Sequence, residues 1–290
     1  GKTDVLIYNY GRVQDFGNKQ DNVLVWTFQE ALKSDWTLTA VDQYGIYPAG
    51  SKNVLNISGL LSLINFFSSF LVSYSDWNFL ENELNKRIKE FYNFEVDLKK
   101  IYINCLIYQK VLGLFTKLLI KIKQPKVIVI ADSGVFSEVI HTAKLCGIPT
   151  VDYQHALQSG QNPLYTHNPD LVEEYKRYLS DYIFTFGDYW NKYYEKNYKV
   201  FTVGSSFQEK MLGDISSIPQ EKNSLIFISD GEMARKEFEN LAITVAKKLP
   251  DLKIYYKLRP DEFSEWKTLY SNKIRDYKNI EILDNDNQTL

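Results

Sequence analysis

The sequence predicts an α/β protein of two lobes, each a parallel sheet flanked by helices, with the second lobe incomplete. Three observations predict it. In the run Lys126-Val127-Ile128-Val129-Ile130 every residue after Lys126 is β-branched, with no alternation, the pattern of a parallel strand buried on both faces. It is followed by Asp132-Ser133-Gly134, a helical segment from Val135 to Leu145, a Gly147-Ile148-Pro149 turn and a second strand, Thr150-Val151-Asp152-Tyr153. The same strand, helix, strand order returns near the end: Leu225-Ile226-Phe227-Ile228, a helix from Ala234 to Leu249, and Lys253-Ile254-Tyr255-Tyr256-Lys257. Two β-α-β units far apart in one chain imply two sheets.

The elements follow in order. Asp4 to Asn9 is the first strand, and the polar loop after it, Tyr10 to Asn22, holds Gly11, Arg12 and Gly17. Val23 to Leu32 reads as a strand or an extended lead into a helix, and Leu38 to Tyr44 as a strand. Ile57 to Tyr74 has no charged residue but five serines. A spanning helix needs about 20 mostly apolar residues, so buried helix, membrane-surface contact and span all stay open there. Asn78 to Leu119 reads as helical, with Leu84, Ile88, Phe91 and Tyr92 at helical spacing; Ile101 to Ile122 shares the period, and Gln124-Pro125 stops it. Beyond Tyr153 come Gln154-His155-Ala156, a strand at Tyr182 to Gly187, a short aromatic helix from Asp188 to Asn197 and a strand at Lys199 to Val203. The stretch after Gly204, broken by Gly213 and Pro219, reads as a linker. The expected division is therefore a first Rossmann-like lobe over 1–204, a linker over 205–221 and a partial second lobe over 222–290. A full lobe of that kind needs about 120 residues. The sequence also stops just after the strand Asn279 to Leu283, which reads as truncation.

Composition narrows the function. The chain has 290 residues, a net charge of −2 and 44% hydrophobic residues, enough for real cores and without the basic footprint of a nucleic-acid binder. The two cysteines, Cys105 and Cys146, lie in apolar helical patterns and read as free thiols of a reducing compartment. No paired Cys or His spacing argues for zinc. With no leader-like start, the expectation is a cytoplasmic protein, with peripheral contact at the inner membrane left open.

Several polar residues fall just past strand ends, where open α/β sheets bind ligands. Asp230, in Ser229-Asp230-Gly231-Glu232, is placed to deprotonate a hydroxyl or act as a nucleophile; it is equally placed to cap the following helix. Arg259, in Lys257-Leu258-Arg259-Pro260-Asp261-Glu262, suits a bidentate anion such as a diphosphate, or a salt bridge to Asp261 or Glu262. His155 and Gln154 end one strand of the first lobe, and Asp132 and Ser133 end its neighbour. Arg12 and Asp15 lie in the loop after the first strand, which has no complete phosphate-loop pattern. Tyr189 to Tyr198 reads as a packing face or a sugar-stacking platform. His141, inside a helix, reads as structural, and His167 lies in a loop rich in Asn and Pro that marks no site.

Three stretches carry a family resemblance. His141 to His155, ending Val151-Asp152-Tyr153-Gln154-His155, resembles the Gln-His-Gly segment of bacterial capsule and lipopolysaccharide transferases, with Ala156 in the Gly place. Ile228-Ser229-Asp230-Gly231 is similar to the acidic-Gly motif of bacterial sialyltransferases, without its second acid. Tyr256 to Glu262 resembles their Lys-Leu-His-Pro-Gly-Glu stretch, with Arg259 in the His place, a fixed cation instead of a titratable group. The resemblance is to GT-B glycosyltransferases of the sialyltransferase and Kdo-transferase type. It implies two Rossmann-like lobes, a nucleotide-sugar donor as co-substrate, a glycan acceptor and no metal. Asp230 and His155 would be catalytic. Ser229, Gly231, Lys257, Arg259, Pro260 and Glu262 would bind the donor, and Arg12, Asp132, Ser133 and Gln154 the acceptor. It leans towards a CMP-activated ulosonic acid. A polyol-phosphate transferase of teichoic-acid type and a non-catalytic two-lobed sugar-binding or scaffold protein are the alternatives.

Overall fold

The computed structural model describes residues 1–8, 13–15, 20–32, 35–45, 47, 51–68, 79–94, 96–98, 101, 108–156, 165, 173–194, 198–215, 221–229 and 235–284. The chain divides into two compact units, Gly1–Leu212 and Gly213–Leu290.

The first unit is built on a seven-stranded, wholly parallel sheet. Its strands are β1 (Val5–Tyr8), β4 (Leu38–Asp42), β5 (Val54–Asn56), β6 (Val127–Ile130), β7 (Thr150–Tyr153), β8 (Tyr182–Thr185) and β9 (Lys199–Thr202), in the order β5-β4-β1-β6-β7-β8-β9. A separate hairpin, β2 (Val13–Asp15) with β3 (Gln20–Asn22), is antiparallel. β1 lies inside the sheet, between β4 and β6, and all four of its residues are buried. Leu6 and Tyr8 join one core with Val41, Ile128, Ile130, Phe136 and Ile140. Val5 and Ile7 join the other, with Leu24, Val25, Ala40, Val129 and Tyr153. The alternation is the two-residue period of a strand covered on both faces.

Helices α2 (Ser58–Ser68), α4 (Tyr108–Lys123) and α5 (Ser137–Leu145) cover the first of these faces, and α1 (Val23–Ala31) the second. α1 corrects the expectation of an extended segment. Val23-Leu24-Val25-Trp26-Thr27-Phe28 is rich in strand formers, but Asn22 ends β3 as an N-cap. Its side-chain oxygen accepts from the Leu24 and Val25 N–H groups at 3.1 and 3.3 Å, and Leu24, Val25 and Phe28 turn to the core. Tertiary burial and one cap outweigh β propensity. Asn22→Ala is expected to lower the first unit's stability by about 1 kcal/mol, read as a lower urea midpoint at unchanged slope.

The long helix expected from Asn78 to Leu119 is also interrupted. A π-helical segment, Phe79–Asn85, runs into α3 (Lys86–Tyr92), which stops at Asn93 in the left-handed region (φ 55°). α4 ends at Gln124, also left-handed at φ 50°, before Pro125. α2 buries Ile57 and Leu61 and exposes Leu60, Leu63 and Phe66; residues 69–74 of that apolar stretch lie outside the described residues. No helix among the described residues is long and apolar enough to cross a membrane. Within the 205–221 stretch read as linker, Ser206–Ile215 is a helix, α6. Among the described residues of the aromatic segment, Asp188–Asn191 is helical; Tyr194 and Tyr198 pack with Tyr165, Leu179 and Ile183. Cys146 is a free thiol, and Cys105 lies outside the described residues.

The second unit carries a three-stranded parallel sheet, β10 (Ser224–Ile228), β11 (Lys253–Lys257) and β12 (Ile280–Leu283), in that order. α7 (Arg235–Lys248) lays Ala242 and Ala246 against Phe227, Ile254 and Tyr256, and Trp266, Tyr270 and Ile274 complete the core. Small alanines let the helix approach the sheet closely.

Candidate functional site

In the first unit the chain steps outward from β1 in one direction through β4 and β5, and in the other through β6 to β9. That reversal between β1 and β6 is a topological switch point, where open α/β sheets take ligands at their carboxyl ends. The loop after β1, with Arg12, lies outside the described residues. The loop after β6 begins at Asp132, whose backbone has φ 130°. A non-glycine residue held there stores about 1–3 kcal/mol of strain.

Asp152 holds it. β7 places Asp152 beside Ile130 in register. Its two carboxylate oxygens accept the Asp132 N–H at 3.3 Å and the Ser133 N–H at 2.9 Å. The Asp132 carboxylate in turn accepts the Gly134 and Val135 N–H groups at 3.0 and 3.4 Å. Four successive N–H groups thus converge on carboxylates. Such a concavity of amides attracts anions, and here the protein's own side chains fill it. Asp132 and Ser133 are both buried, and their backbone N–H groups, with the Asp132 carboxylate, shape the loop.

Asp152 itself was not singled out from the sequence, although a carboxylate inside Thr-Val-Asp-Tyr, a strand buried along its whole length, was a readable signal: it requires internal partners. Burial pushes its carboxyl up to about 7; the Ser133 hydroxyl and N–H oppose this, and the Asp132 charge adds to it. The buried phenols of Tyr165, Tyr194 and Tyr198 are raised by burial first and then by the Asp152 charge.

Gln154 bridges two loops. Its amide oxygen accepts from the Phe186 N–H at 2.9 Å and its amide nitrogen donates to the Ala156 carbonyl at 3.0 Å. Buried and engaged at both ends, it ties the β7 and β8 loops together. His155 follows it, half-buried. At the β4 end, Asp42 accepts from the Tyr44 and Tyr47 N–H groups, and the Tyr47 hydroxyl donates to Asp21 at 2.6 Å. Asp21, Asp42, Asp132 and Asp152 are all buried. Among the described residues no group of three or more His, Cys, Asp or Glu side chains is arranged to hold a metal ion.

The second unit gathers the opposite charge. Ser229 follows β10, Arg259 lies two residues past β11, and Arg235 opens α7. Glu262 is the hub, buried to 2% exposure. One carboxylate oxygen accepts from Arg235 Nε at 3.3 Å and from the Tyr270 hydroxyl at 2.9 Å; the other accepts the Arg259 N–H at 3.0 Å. Tyr270 also bonds the Ser229 hydroxyl at 2.9 Å. Burial alone would raise the Glu262 carboxyl, but the bonds from Ser229, the Arg259 N–H, Tyr270 and Arg235 outweigh it, and the net shift is downward. Ser229 and Glu262 thus support the Arg-Pro turn from within.

Arg259 and Pro260 remain exposed. The Arg259 guanidinium meets only the exposed Asp261 carboxylate, at 3.3 Å, among the described contacts. A surface pair of this kind contributes about 0–1 kcal/mol, so an incoming phosphate displaces it readily. Pro260 fixes the first position of the 3-10 turn Pro260–Glu262. Lys257 is half-buried, with its ammonium 5.5 Å from the Phe263 ring centre. Arg235 was missed because no local pattern marks a cation in the first turn of a helix as part of a site. Asp230 and Gly231 lie outside the described residues.

No family model matches the chain, and no curated protein matches it. Solved structures resemble it in outline. UDP-GlcNAc 2-epimerase from Methanocaldococcus jannaschii is 13% identical with a TM-score of 0.47, over 98% of this chain and 73% of that one. UDP-N-acetylglucosamine 2-epimerase from Rickettsia bellii is 12% identical with a TM-score of 0.47, over 98% and 69%. Arabidopsis thaliana UGT89C1, solved with UDP-L-rhamnose, is 11% identical with a TM-score of 0.44, over 98% and 70%. Likenesses of this degree leave substrate and reaction to be argued from the chain's own residues.

Proposed function

We propose that the chain is a glycosyltransferase that uses a nucleotide-sugar donor, with the donor's phosphates on the second unit and the glycan acceptor on the first. The observation that carries this reading is the division of charge between the two carboxyl edges. In the first unit four buried aspartates gather there, and carboxylates fill the amide concavity after β6, which repels phosphate and leaves that edge to a neutral, hydroxyl-rich ligand. In the second, Arg235, Lys257 and Arg259 sit around a β-α-β edge, the arrangement that suits a diphosphate or a phosphate with a sugar carboxylate.

The reaction then needs one base. Asp230 takes the proton of the acceptor hydroxyl as its oxygen forms a bond to the anomeric carbon. The bond from that carbon to the phosphate oxygen breaks, the nucleotide leaves with the electron pair, and Arg259 offsets the charge it carries. In this reading arginine and lysine meet the leaving phosphate in place of a metal. His155 contacts the acceptor at the β7 end. The motif resemblance leans the donor towards a CMP-activated ulosonic acid, the acceptor towards a bacterial capsule or lipopolysaccharide glycan, and the location towards the cytoplasmic face of the inner membrane, in peripheral contact with it.

A thermal-shift series with CMP, CDP, UDP, GDP and TDP tests it. A ligand at 100 times its Kd stabilises by about 2.7 kcal/mol. A shift with CMP supports the ulosonic-acid donor, and a shift with UDP moves the donor to a hexose. Arg259→Ala is expected to weaken nucleotide binding about 10- to 100-fold, the contribution of a charge-assisted hydrogen bond. Asp230→Ala is expected to keep that binding and lose at least about 100-fold in turnover. No shift with any nucleotide would overturn the transferase reading in favour of a scaffold.

A further inference from the structure

α4 is amphipathic in an unusual way. Its inner face, Leu112, Thr116, Leu119 and Ile120, is buried against the sheet. Its outer face consists of Lys110, Leu114, Lys117, Leu118, Lys121 and Ile122. At 100° per residue the three lysines, at i, i+7 and i+11, fall in one row along the axis. Leu114, Leu118 and Ile122, at i, i+4 and i+8, form the row beside it. These three are each more than half exposed. Neither α4 nor α2, which packs beside it, carries an acidic residue. α2 adds exposed Leu60, Leu63 and Phe66 to the same layer of helices. On the α5 side the lysine row borders a groove of about 410 Å3 lined by Lys110, Leu114, Lys117 and Leu145, together with Glu138 and His141.

We propose that this face of α4 and α2 binds an anionic lipid bilayer surface. An apolar field of this extent is costly to leave in water. Apolar side chains flanked by lysines match the acyl and phosphate layers of an interface, where a helix lies in the plane of the membrane. A second copy of the chain fits worse, because a two-fold contact through this face sets lysine row against lysine row. The concentration of cations here, in a chain whose net charge is −2, gives the face a polarity that matches anionic headgroups. The inference takes up the peripheral contact proposed above and gives it a surface. It depends on no step of sugar transfer, so vesicle binding and turnover fail independently.

The test is co-sedimentation of the whole chain, without nucleotide, with vesicles of phosphatidylcholine alone and of phosphatidylcholine with one third phosphatidylglycerol. The expected result is binding to the anionic vesicles only. Lys110→Gln/Lys117→Gln/Lys121→Gln is expected to weaken it on the order of 100-fold, at about a factor of five per lysine. Leu114→Ser/Leu118→Ser/Ile122→Ser is expected to weaken it without changing the salt dependence. All six positions are exposed, and unchanged urea midpoints show that the variants fold. Equal binding to both vesicle types, equal binding by the lysine variant, or no binding by the unaltered chain overturns the proposal. A dimer in solution that the Leu114→Ser set dissolves also overturns it, by assigning the face to a second copy.

Discussion

Glu262→Ala is expected to unfold the second unit or leave it barely folded. Truncation strands the Arg235 guanidinium, whose side chain is 17% exposed, and leaves the Tyr270 hydroxyl and the Arg259 N–H without their acceptor. Breaking a buried ion pair from one side costs about 3–5 kcal/mol, because the remaining charge stays desolvated. A unit below 100 residues has about 4–10 kcal/mol in total, so the loss takes most of it. Hydrogen exchange of the β10, β11 and β12 amides measures this unit separately, and Trp266, buried in its core, reports on it by fluorescence. Arg235→Met/Glu262→Gln is expected to recover part of the loss, since both charges are then gone. The pH dependence has a definite sign. The folded carboxyl lies below its usual value, so this contribution is present above the ordinary glutamate range and is lost as the pH falls through the folded value. Acid should therefore open the second unit, and Glu262→Gln should flatten that limb. A loss below about 1 kcal/mol in Glu262→Ala would show that the carboxylate is not a structural hub, and would return it to the ligand.

The strands were legible because burial on both faces demands uninterrupted apolar runs, and Val127-Ile128-Val129-Ile130 or Val5-Leu6-Ile7-Tyr8 admits few other readings. α1 was not, because its residues prefer strands and only the Asn22 cap and the core beneath it reverse that preference. The stop at Asn93 was hidden for a similar reason: a left-handed residue leaves no mark in the spacing of apolar positions on either side. At the strand ends, the sequence locates polar residues along the chain but carries no orientation for them. Whether Glu262, Asp132 or Gln154 faces a ligand or the interior depends on acceptors and donors elsewhere in the chain. For Glu262 the partners include Arg235, 27 residues away, and for Gln154 Phe186, 32 residues away. Local pattern cannot contain that information. Arg259 was read as either a phosphate ligand or a partner of Asp261, and the pair with Asp261 is present; its weakness is what leaves the ligand role available.

Asp152→Asn is expected to reverse its effect on stability with pH. In the folded chain burial pushes the Asp152 carboxyl up to about 7, from an unfolded value near 3.8. Between those two values the folded state binds more protons than the unfolded state, so stability falls as pH rises, and the penalty is complete above about 7. A shift of this size corresponds to on the order of 4 kcal/mol. Asparagine carries no charge and removes that slope. It also replaces one of the oxygens that accept the Asp132 and Ser133 N–H groups with a donor, at a cost of about 1–3 kcal/mol. At pH 5, where aspartate is folded neutral, the variant should be the less stable of the two by that amount. At pH 8, where the unaltered chain must keep a buried anion beside Asp132, the gap should close or invert. Urea unfolding of the first unit at a series of pH values, followed by exchange of the β6 and β7 amides, reads both limbs. A gap that stays constant from pH 5 to 8 would show that Asp152 ionises at its usual value, with water reaching it, and that the turn at Asp132 is held by something other than a protonated, buried carboxyl.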